Sequence, residues 1–300
     1  MLQFAMLKTM DRGILFMLLS ALISALNGAV AKILSEELSA LEIVFFRNLI
    51  GVVIILYTLK HTAPSLKGGK FHLLFLRGVL GFSAMIVFFY TITTIPLGEA
   101  ITLNKTSPLF VSVLAYYLLH EHLGKRAILA LFVGFLGIIF ITKPLGLSIS
   151  YEHFLGILGG FFAAAAYATI KKIKDIYDTR VIMLSFMGAG TFFPLLFFML
   201  APWIDPPVYL GFLFEPLSLD YTIKVWLLIG FMALISTLSQ WLLTKAYSLS
   251  KASVIGVISY TNIPFAIGFG WMLGDIFPDF WTFTGIALIV LGGILAGRSK

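Results

Sequence analysis

Residues 89–121 read FYTITTIPLGEAITLNKTSPLFVSVLAYYLLHE, and residues 244–275 read TKAYSLSKASVIGVISYTNIPFAIGFGWMLGD. Both stretches contain an aromatic residue, a turn of small polar residues, an alanine, a proline within an apolar run, and an acid where that run stops. The spacing from proline to acid is thirteen residues in the first stretch (Pro108 to Glu121) and eleven in the second (Pro264 to Asp275). This approximate match predicts an internal repeat.

Apolar runs of similar length fill the rest of the chain. Each can cross a hydrocarbon core of ~30 Å as a helix rising ~1.5 Å per residue. Together they leave no stretch for a soluble domain, so the sequence predicts an all-α integral membrane protein of ten transmembrane helices. The predicted spans are 13–33, 41–59, 71–94, 98–119, 126–143, 154–171, 181–202, 223–247, 252–274 and 280–297.

The composition supports a membrane protein over a soluble one. Hydrophobic residues make up 60% of the chain and charged residues 12%, whereas a soluble domain is typically about half apolar and about a quarter charged. A net charge of +7 would suggest a nucleic-acid partner in a soluble protein. Here the basic residues fall in short loops, so we expect a lipid bilayer as partner and no nucleic acid. The absence of cysteine excludes a disulfide framework and a thiol nucleophile.

Lysine and arginine are unevenly distributed between the two sets of loops that alternate along these spans. Three of them, Lys32, Lys143 and Lys224, lie in loops or at span ends on one side, and fifteen lie on the other. Because cytoplasmic loops carry the excess of basic residues, this bias predicts an inner or plasma membrane protein with both termini in the cytoplasm. The fifteen are Lys8, Arg12, Lys60, Lys67, Lys70, Lys125, Arg126, Lys171, Lys172, Lys174, Arg180, Lys245, Lys251, Arg298 and Lys300.

The repeat and the span count together predict the domain organisation. We expect one five-helix repeat over residues 1–148 and a second over 149–300. Because five is odd, the two copies must cross the membrane in opposite directions. Inverted repeats of this kind are common in secondary transporters, whose substrate site lies near the midplane where the halves meet.

The sequence resembles the EamA type of the drug/metabolite transporter superfamily. In the first copy Ala100, Pro108 and Glu121 stand at the family's positions. In the second copy Asn262 stands where the proline would fall, and Pro264 follows two residues later.

The resemblance extends to Arg47 in the second span and to the Arg77-Gly78 pair entering the third. It implies a ten-helix carrier with a central cavity. That cavity would be lined mainly by the third, fourth, eighth and ninth spans, with contributions from the first and sixth. It also implies a small-molecule substrate, without specifying which.

Lys105 is the first candidate for binding chemistry. It lies in the fourth span beside Asn104, where an ammonium costs roughly 3 kcal/mol unless it faces a cavity or a partner. We interpret Lys105 as a ligand for an anionic or amino-acid-like substrate, through a carboxylate or phosphate, or as the site of a competing proton. The alternatives are a structural ion pair or snorkelling to the outer face.

Three further charged residues lie in or at the ends of the spans. Arg47 is interpreted as part of a structural or gating pair, and Arg77 as an interfacial anchor. Glu99 opens the fourth span, where a carboxylate complements the helix N-terminus. It could alternatively shuttle protons or pair with Lys105.

The remaining candidate residues are uncharged. Pro108 and Pro264 are interpreted as mid-helix kinks that serve as hinges. Six polar or amphipathic residues are interpreted as cavity lining, although each could instead form a helix-to-helix hydrogen bond worth ~0.6 kcal/mol. These six are Asn27, Tyr90, Tyr167, Gln240, Tyr260 and Asn262.

The sequence carries no convincing signal for a metal, a cofactor or ATP hydrolysis. His120 and His122 flank Glu121, but a turn without a fourth ligand is a weak metal signal. A Walker-type phosphate loop is absent, so transport would be driven by a gradient.

The rival functions are an integral-membrane enzyme and a passive channel. The loop and span-end positions of all five histidines disfavour the enzyme. The oligomeric state, monomer or homodimer, stays open.

Overall fold

The protein consists largely of α-helices. Its structure is a computed structural model, which describes residues 12–64, 68–94, 103–121, 124–142, 151–273 and 279–297. Two 3₁₀ segments, Ala201–Trp203 and Val208–Leu213, follow the seventh helix, and a third, Ser259–Thr261, follows the ninth. The helices are α1 (Arg12–Leu34), α2 (Ala40–His61), α3 (Phe71–Thr94), α4 (Ser107–Leu119), α5 (Lys125–Thr142), α6 (Tyr151–Ile173), α7 (Thr179–Leu200), α8 (Ile223–Leu249), α9 (Ala252–Ile258), α10 (Asn262–Met272) and α11 (Phe280–Gly297).

Within these ranges, seven helical segments are long and apolar enough to cross a membrane. They are Arg12–Leu34, Ala40–His61, Phe71–Thr91, Tyr151–Ile173, Thr179–Trp203, Ile223–Leu249 and Ala252–Met272. Shorter apolar stretches lie in α4 and α11. The helical class predicted from the sequence is confirmed, whereas the count of ten crossings stays a prediction.

The fourth span departs from its predicted continuous helix. A turn at residues 105–106 precedes α4, and Pro108 is the second residue of that helix rather than a mid-helix kink. A proline ring clashes with the carbonyl four residues earlier, here that of Asn104, but is tolerated in a first helical turn. The Thr106 hydroxyl donates to the carbonyl of Leu103 at 2.6 Å within this turn.

The ninth span is interrupted in the same way. A 3₁₀ turn separates α9 from α10, and Pro264 is the third residue of α10, so this proline also starts a helix. The hydroxyl of Ser259 donates to the Gly256 carbonyl at 2.6 Å, and that of Thr261 donates to the Ile258 carbonyl at 2.7 Å. Both predicted kinks are therefore helix breaks, and side-chain hydroxyls donate to nearby carbonyls at each of them.

Packing joins helices that are distant in the sequence. The most extensive contacts pair α5 with α11, α1 with α8, α3 with α6, and α2 with α7. Glycines permit the closest of these approaches: a Cβ atom on Gly137 would lie 2.6 Å from the Gly285 carbonyl oxygen, and one on Gly292 would lie 2.9 Å from that of Ala130. These glycines therefore serve packing within the chain, between α5 and α11.

Side-chain contacts define two ends of the bundle. At the first, Arg180 donates to the Thr62 carbonyl at 3.0 Å, which joins the start of α7 to the end of α2. At the same end, Lys171 near the end of α6 donates to the Ser250 carbonyl after α8. We call this the basic end, because Lys60, Lys172 and Lys251 also lie at these termini.

The opposite end carries the long 203–222 connection. The Tyr90 ring, near the end of α3, stacks on Phe212 with centroids 4.0 Å apart. Near the start of α2, Glu42 accepts from the Tyr221 hydroxyl at 2.8 Å. We call this the acidic end, because Glu36, Glu37, Glu152, Asp205 and Asp220 lie in its connections or at its helix starts.

Candidate functional site

A cavity of about 170 Å³ lies inside the bundle. Its walls come from α1, α2, α3, α6, α7 and α8, together with the residue two positions before the α4 N-cap. The lining residues are Ser24, Asn27, Arg47, Arg77, Gly81, Ala84, Met85, Phe88, Asn104, Ala163, Ala166, Tyr167, Phe186, Ser236, Ser239, Gln240 and Leu243.

The cavity lies well inside the helices that form it. Arg47 is seven residues from the start of α2 at the acidic end, a depth of ~10 Å, and Arg77 is six residues from the start of α3 at the basic end, a depth of ~9 Å. Its charged groups therefore sit within the hydrophobic thickness rather than at an interface.

Arg77 is the most buried charge on this wall. Its side chain is 1% exposed, and its guanidinium carbon lies 4.8 Å from the centre of the Phe186 ring. A Cβ atom on Gly81, one turn along α3, would meet the Arg77 guanidinium and the Phe186 ring. Glycine at position 81 therefore leaves room for the guanidinium, which a cation–π contact holds in place.

Neither cavity arginine is paired with an acid. Within the described part of the chain, no carboxylate forms an ion pair with Arg47 or Arg77, and the Nε atoms of both are buried without a hydrogen-bond partner. Among the described residues, the lining set contains no aspartate or glutamate. Two positive charges thus face one small space without a counter-charge from the part of the chain that the structure describes.

Three neutral polar groups of the cavity lining also lack hydrogen-bond partners among the described residues. The Oδ1 atom of Asn27, the Oγ atom of Ser236 and the Nε2 atom of Gln240 are buried, and none has a hydrogen-bond partner among the described residues. Each such group costs ~1–3 kcal/mol when left unpaired. Together with the two arginines, they concentrate unsatisfied polar groups at one cavity of an otherwise apolar bundle.

The walls are held by contacts behind the cavity. Tyr167 stacks on Tyr247 with ring centroids 4.7 Å apart and planes 16° apart. Ser20 donates to the Ser239 carbonyl at 2.8 Å, and Ser239 donates back to the Ser20 carbonyl at 3.1 Å. These contacts join α6 to α8 and α1 to α8, so the polar groups project from packed helices.

Comparison with known proteins agrees with this architecture. A profile of the EamA-like transporter family matches residues 11–143. An uncharacterized transporter of Helicobacter pylori is 32% identical over 294 residues, which cover 97% of this chain and 96% of that protein. The chain belongs to the EamA-like transporter family. It is an EamA-type member of the drug/metabolite transporter superfamily and a multi-pass integral membrane protein.

Other relatives of this EamA-type transporter are named for their cargo. The pseudopaline exporter CntI of Pseudomonas aeruginosa is 30% identical, covering 98% of this chain and 99% of that protein. An S-adenosylmethionine uptake transporter of Rickettsia prowazekii is 25% identical, covering 95% and 92%. A solved crystal structure shares the fold, with a TM-score of 0.75, 16% identity, and coverage of 97% of this chain and 100% of that one.

Five residues proposed from the sequence border the cavity: Asn27, Arg47, Asn104, Tyr167 and Gln240. Lys105 does not. It follows Asn104 in the turn before α4, is partly buried, and is not among the lining residues. The broken helix thus places Asn104, and not Lys105, in the cavity lining.

Of two other proposed residues, one lies near the acidic end and the other falls outside the described residues. Tyr90 stacks on Phe212 of the 203–222 connection rather than facing the cavity. Glu99 falls outside the residues that the structure describes.

The remaining two proposed residues take part in packing. Tyr260 is 0% exposed and sits against Gly134 of α5, with its hydroxyl unpaired among the described residues. Asn262 donates from Nδ2 to the Ala21 carbonyl at 2.9 Å and so joins α10 to α1. Neither borders the cavity.

The interpretation of Arg77 as an interfacial anchor is wrong. An anchor would extend toward the headgroups, but this side chain is buried and its guanidinium lies one turn deeper, against Gly81. Glycine four residues after an intramembrane arginine is the sequence signal that could have found this arrangement. The contribution of Phe186, from α7, had no local signal.

A carboxylate closes the start of α9 at the basic end. Glu121, just past α4, accepts from the Ala252 amide at 3.1 Å and from the Ser253 hydroxyl at 3.2 Å. A negative charge satisfies free N–H groups and complements the helix dipole there. The acid predicted as a repeat marker therefore caps the ninth span.

A second charged group at the basic end joins α7 to α2. Arg180 donates to the Asp178 carboxylate at 3.1 and 3.0 Å, and to the carbonyls of Thr58 and Thr62 at 3.0 Å each. The side-chain hydrogen bond from Arg180 lowers the pKa of Asp178 from its ordinary value of 3.8.

At the acidic end, Glu42 fastens the 203–222 connection to α2. It accepts from the Ser39 amide at 2.9 Å in a capping box, from the Ser218 amide at 2.7 Å and from the Tyr221 hydroxyl at 2.8 Å. Burial, followed by this hydrogen bond to a carboxylate, raises the pKa of Tyr221 to about 12. Each end of the bundle therefore has its own set of polar contacts.

Proposed function

We propose that this EamA-type transporter is a secondary transporter, which moves a small polar or amphipathic metabolite by alternating access. The observation that carries the proposal is the central cavity, with two unpaired arginines and unsatisfied amide and hydroxyl groups inside an apolar bundle. Intramembrane charges that face a cavity are typical of substrate or ion pathways. The names of the relatives, a pseudopaline exporter and an S-adenosylmethionine uptake transporter, support a small-molecule cargo.

Binding is assigned to the cavity wall. Arg47 and Arg77 attract an anionic group on the substrate, while Asn27 and Gln240 form hydrogen bonds to its polar atoms. This changes the role expected for Arg47 from gating to binding. Lys105 acts in proton or substrate entry, from the turn beside Asn104.

Two inverted five-helix repeats, residues 1–148 and 149–300, are proposed as the moving halves. The pairing of helices supports this division. In one pair of equivalent contacts, α1 of the first half packs on α8 of the second, and α6 of the second half packs on α3 of the first. In another, α4 packs on α6, and α9 and α10, which form the ninth span, pack on α1. Exchange of the two halves leaves this pattern unchanged. The broken fourth and ninth spans follow the same relation, as expected for inverted-repeat carriers.

The basic end is proposed to face the cytoplasm of the inner or plasma membrane, with both termini on that side. The fifteen-to-three distribution of lysine and arginine supports this orientation,. A reporter fused after Lys300 and another inserted near Lys172 should both indicate the cytoplasm. An external signal from either would reverse the proposed topology.

Counterflow in proteoliposomes tests the transport function. Vesicles preloaded with one member of a metabolite panel should accumulate that labelled metabolite transiently and saturably, without ATP. A proton gradient imposed in parallel would show whether protons drive the flux. Flux that rises linearly with concentration and shows no counterflow would favour a channel, and product formation without flux would favour an enzyme.

A further inference from the structure

We infer that the cavity accepts a small dicarboxylate, with one carboxylate bound by Arg47 and the other by Arg77. The inference rests on the proposed transport function and specifies the substrate class of the same site. It starts from charge: two arginines line one cavity of about 170 Å³, and none of the described lining residues is an acid. A monoanion or a zwitterion would leave a net positive charge in a low-dielectric space, whereas a dianion neutralises both.

The unpaired state of the arginines points to a ligand rather than to a structural pair. Arg77 is 1% exposed, and its Nε atom has no hydrogen-bond partner among the described residues. An isolated buried charge costs several kcal/mol, and structural ion pairs normally place the acid within contact distance. Phe186 offsets only part of this cost, because a cation–π contact supplies ~0.5–2 kcal/mol.

The positions of the two arginines favour two separate anionic groups over a single phosphate. Arg47 enters from α2 at a depth of ~10 Å from the acidic end, and Arg77 enters from α3 at ~9 Å from the basic end. The Arg77 guanidinium turns toward Gly81 and hence toward the middle of the bundle. The backbone positions of the two arginines therefore lie toward opposite ends of the bundle, and each guanidinium fork matches a carboxylate.

Small residues leave room in the cavity. Gly81 and Ala84 on α3 and Ala163 and Ala166 on α6 are among its lining residues. The Oδ1 atom of Asn27 is an unpaired acceptor on the same wall. A hydroxyl or amino donor on the chain between the carboxylates would satisfy it, so a hydroxylated dicarboxylate should bind more tightly than the unsubstituted one.

Binding to the purified full-length protein tests the inference. The probes are succinate, malate, the monoamide succinamate, butyrate and inorganic phosphate, each titrated while thermal unfolding is followed in detergent. Succinate should bind at least about tenfold more tightly than succinamate or butyrate, which corresponds to one lost charge-assisted contact. Malate should bind more tightly than succinate, and phosphate should bind more weakly than both.

Substitutions connect this preference to the two arginines. R47Q and R77Q should each abolish the preference for succinate over succinamate, while R180Q, outside the cavity, should leave it unchanged. The ligand-free unfolding temperatures of R47Q and R77Q verify folding. Equal affinity for dianion and monoanion, phosphate binding as tight as succinate binding, or an unchanged preference in both cavity variants would overturn the inference.

The two proposals fail in distinguishable ways. Saturable counterflow of a monoanion or a zwitterion, without any preference for dicarboxylates, would leave the transport function standing and refute the dicarboxylate inference. Selective dicarboxylate binding without counterflow of any panel member would preserve the site and refute the transport function.

Discussion

Replacing Arg77 by methionine separates a binding role from a structural one. Methionine keeps an unbranched apolar stem that can pack beside Gly81 and Phe186,. The change removes a cation–π contact of ~0.5–2 kcal/mol, and it also removes an unpaired buried charge, whose cost is several kcal/mol. We therefore expect the ligand-free variant to unfold at the same temperature as the wild type or higher.

Transport should change in the opposite direction. An anionic substrate loses charge-assisted hydrogen bonds worth ~1.5–3 kcal/mol, so uptake at low substrate concentration should fall by about 10- to 150-fold. The assay is counterflow in proteoliposomes, normalised to folded protein and paired with thermal unfolding of the same preparation.

Arg180→Met is the matched control, because Arg180 lies outside the cavity and has partners. It loses hydrogen bonds to Asp178 and to the Thr58 and Thr62 carbonyls, so the free energy of unfolding should drop by about 2 kcal/mol. A lower unfolding temperature for Arg77→Met, with a transport loss no larger than its loss of folded protein, would refute a binding role for Arg77.

Two further predictions concern the basic end. Glu121→Gln should lower the free energy of unfolding by ~1–2 kcal/mol, because the α9 N-terminus loses its charged cap. Thermal unfolding should show this drop for Glu121→Gln and no drop for the exposed control Glu37→Gln. Asp178 has a folded-state pKa below 3.8, so its stabilising contribution is present above that value and is lost as pH falls through the folded-state pKa. Asp178→Asn should therefore flatten the decline in unfolding temperature below about pH 4, and an unchanged acid dependence would show that this pair contributes nothing.

Helix positions were predictable from the sequence because membrane thickness and hydrophobicity act locally. The predicted span 41–59 corresponds to α2 at Ala40–His61, and 154–171 corresponds to α6 at Tyr151–Ile173. The helix breaks were not predicted, because Pro108 and Pro264 are compatible with both kinks and helix starts. At these breaks the hydroxyls of Thr106 and Thr261 donate to carbonyls three residues earlier.

The cavity was predictable only in part. Asn27, Arg47 and Gln240 were proposed as intramembrane polar residues, and the structure brings them together with Asn104 and Tyr167. The position of Arg77 depends on Gly81, one turn away, and on the ring of Phe186 in α7. The contact with Phe186 is nonlocal. Tyr260 and Asn262 could not be distinguished from cavity residues in advance, because a polar side chain can face a cavity or a neighbouring helix at the same depth.

Access to the cavity from each side of the membrane tests the central claim most directly. The chain has no cysteine, and Ser236 is a cavity residue that is 2% exposed, so Ser236→Cys introduces a unique thiol with little change in volume. The variant is reconstituted in one orientation and exposed to a membrane-impermeant methanethiosulfonate from either side, with and without a substrate identified by counterflow. Alternating access predicts that labelling proceeds mainly from one side and that substrate shifts the ratio of the two rates. Equal labelling from both sides, unchanged by a substrate that the protein is carrying, would contradict the account and indicate an open pore.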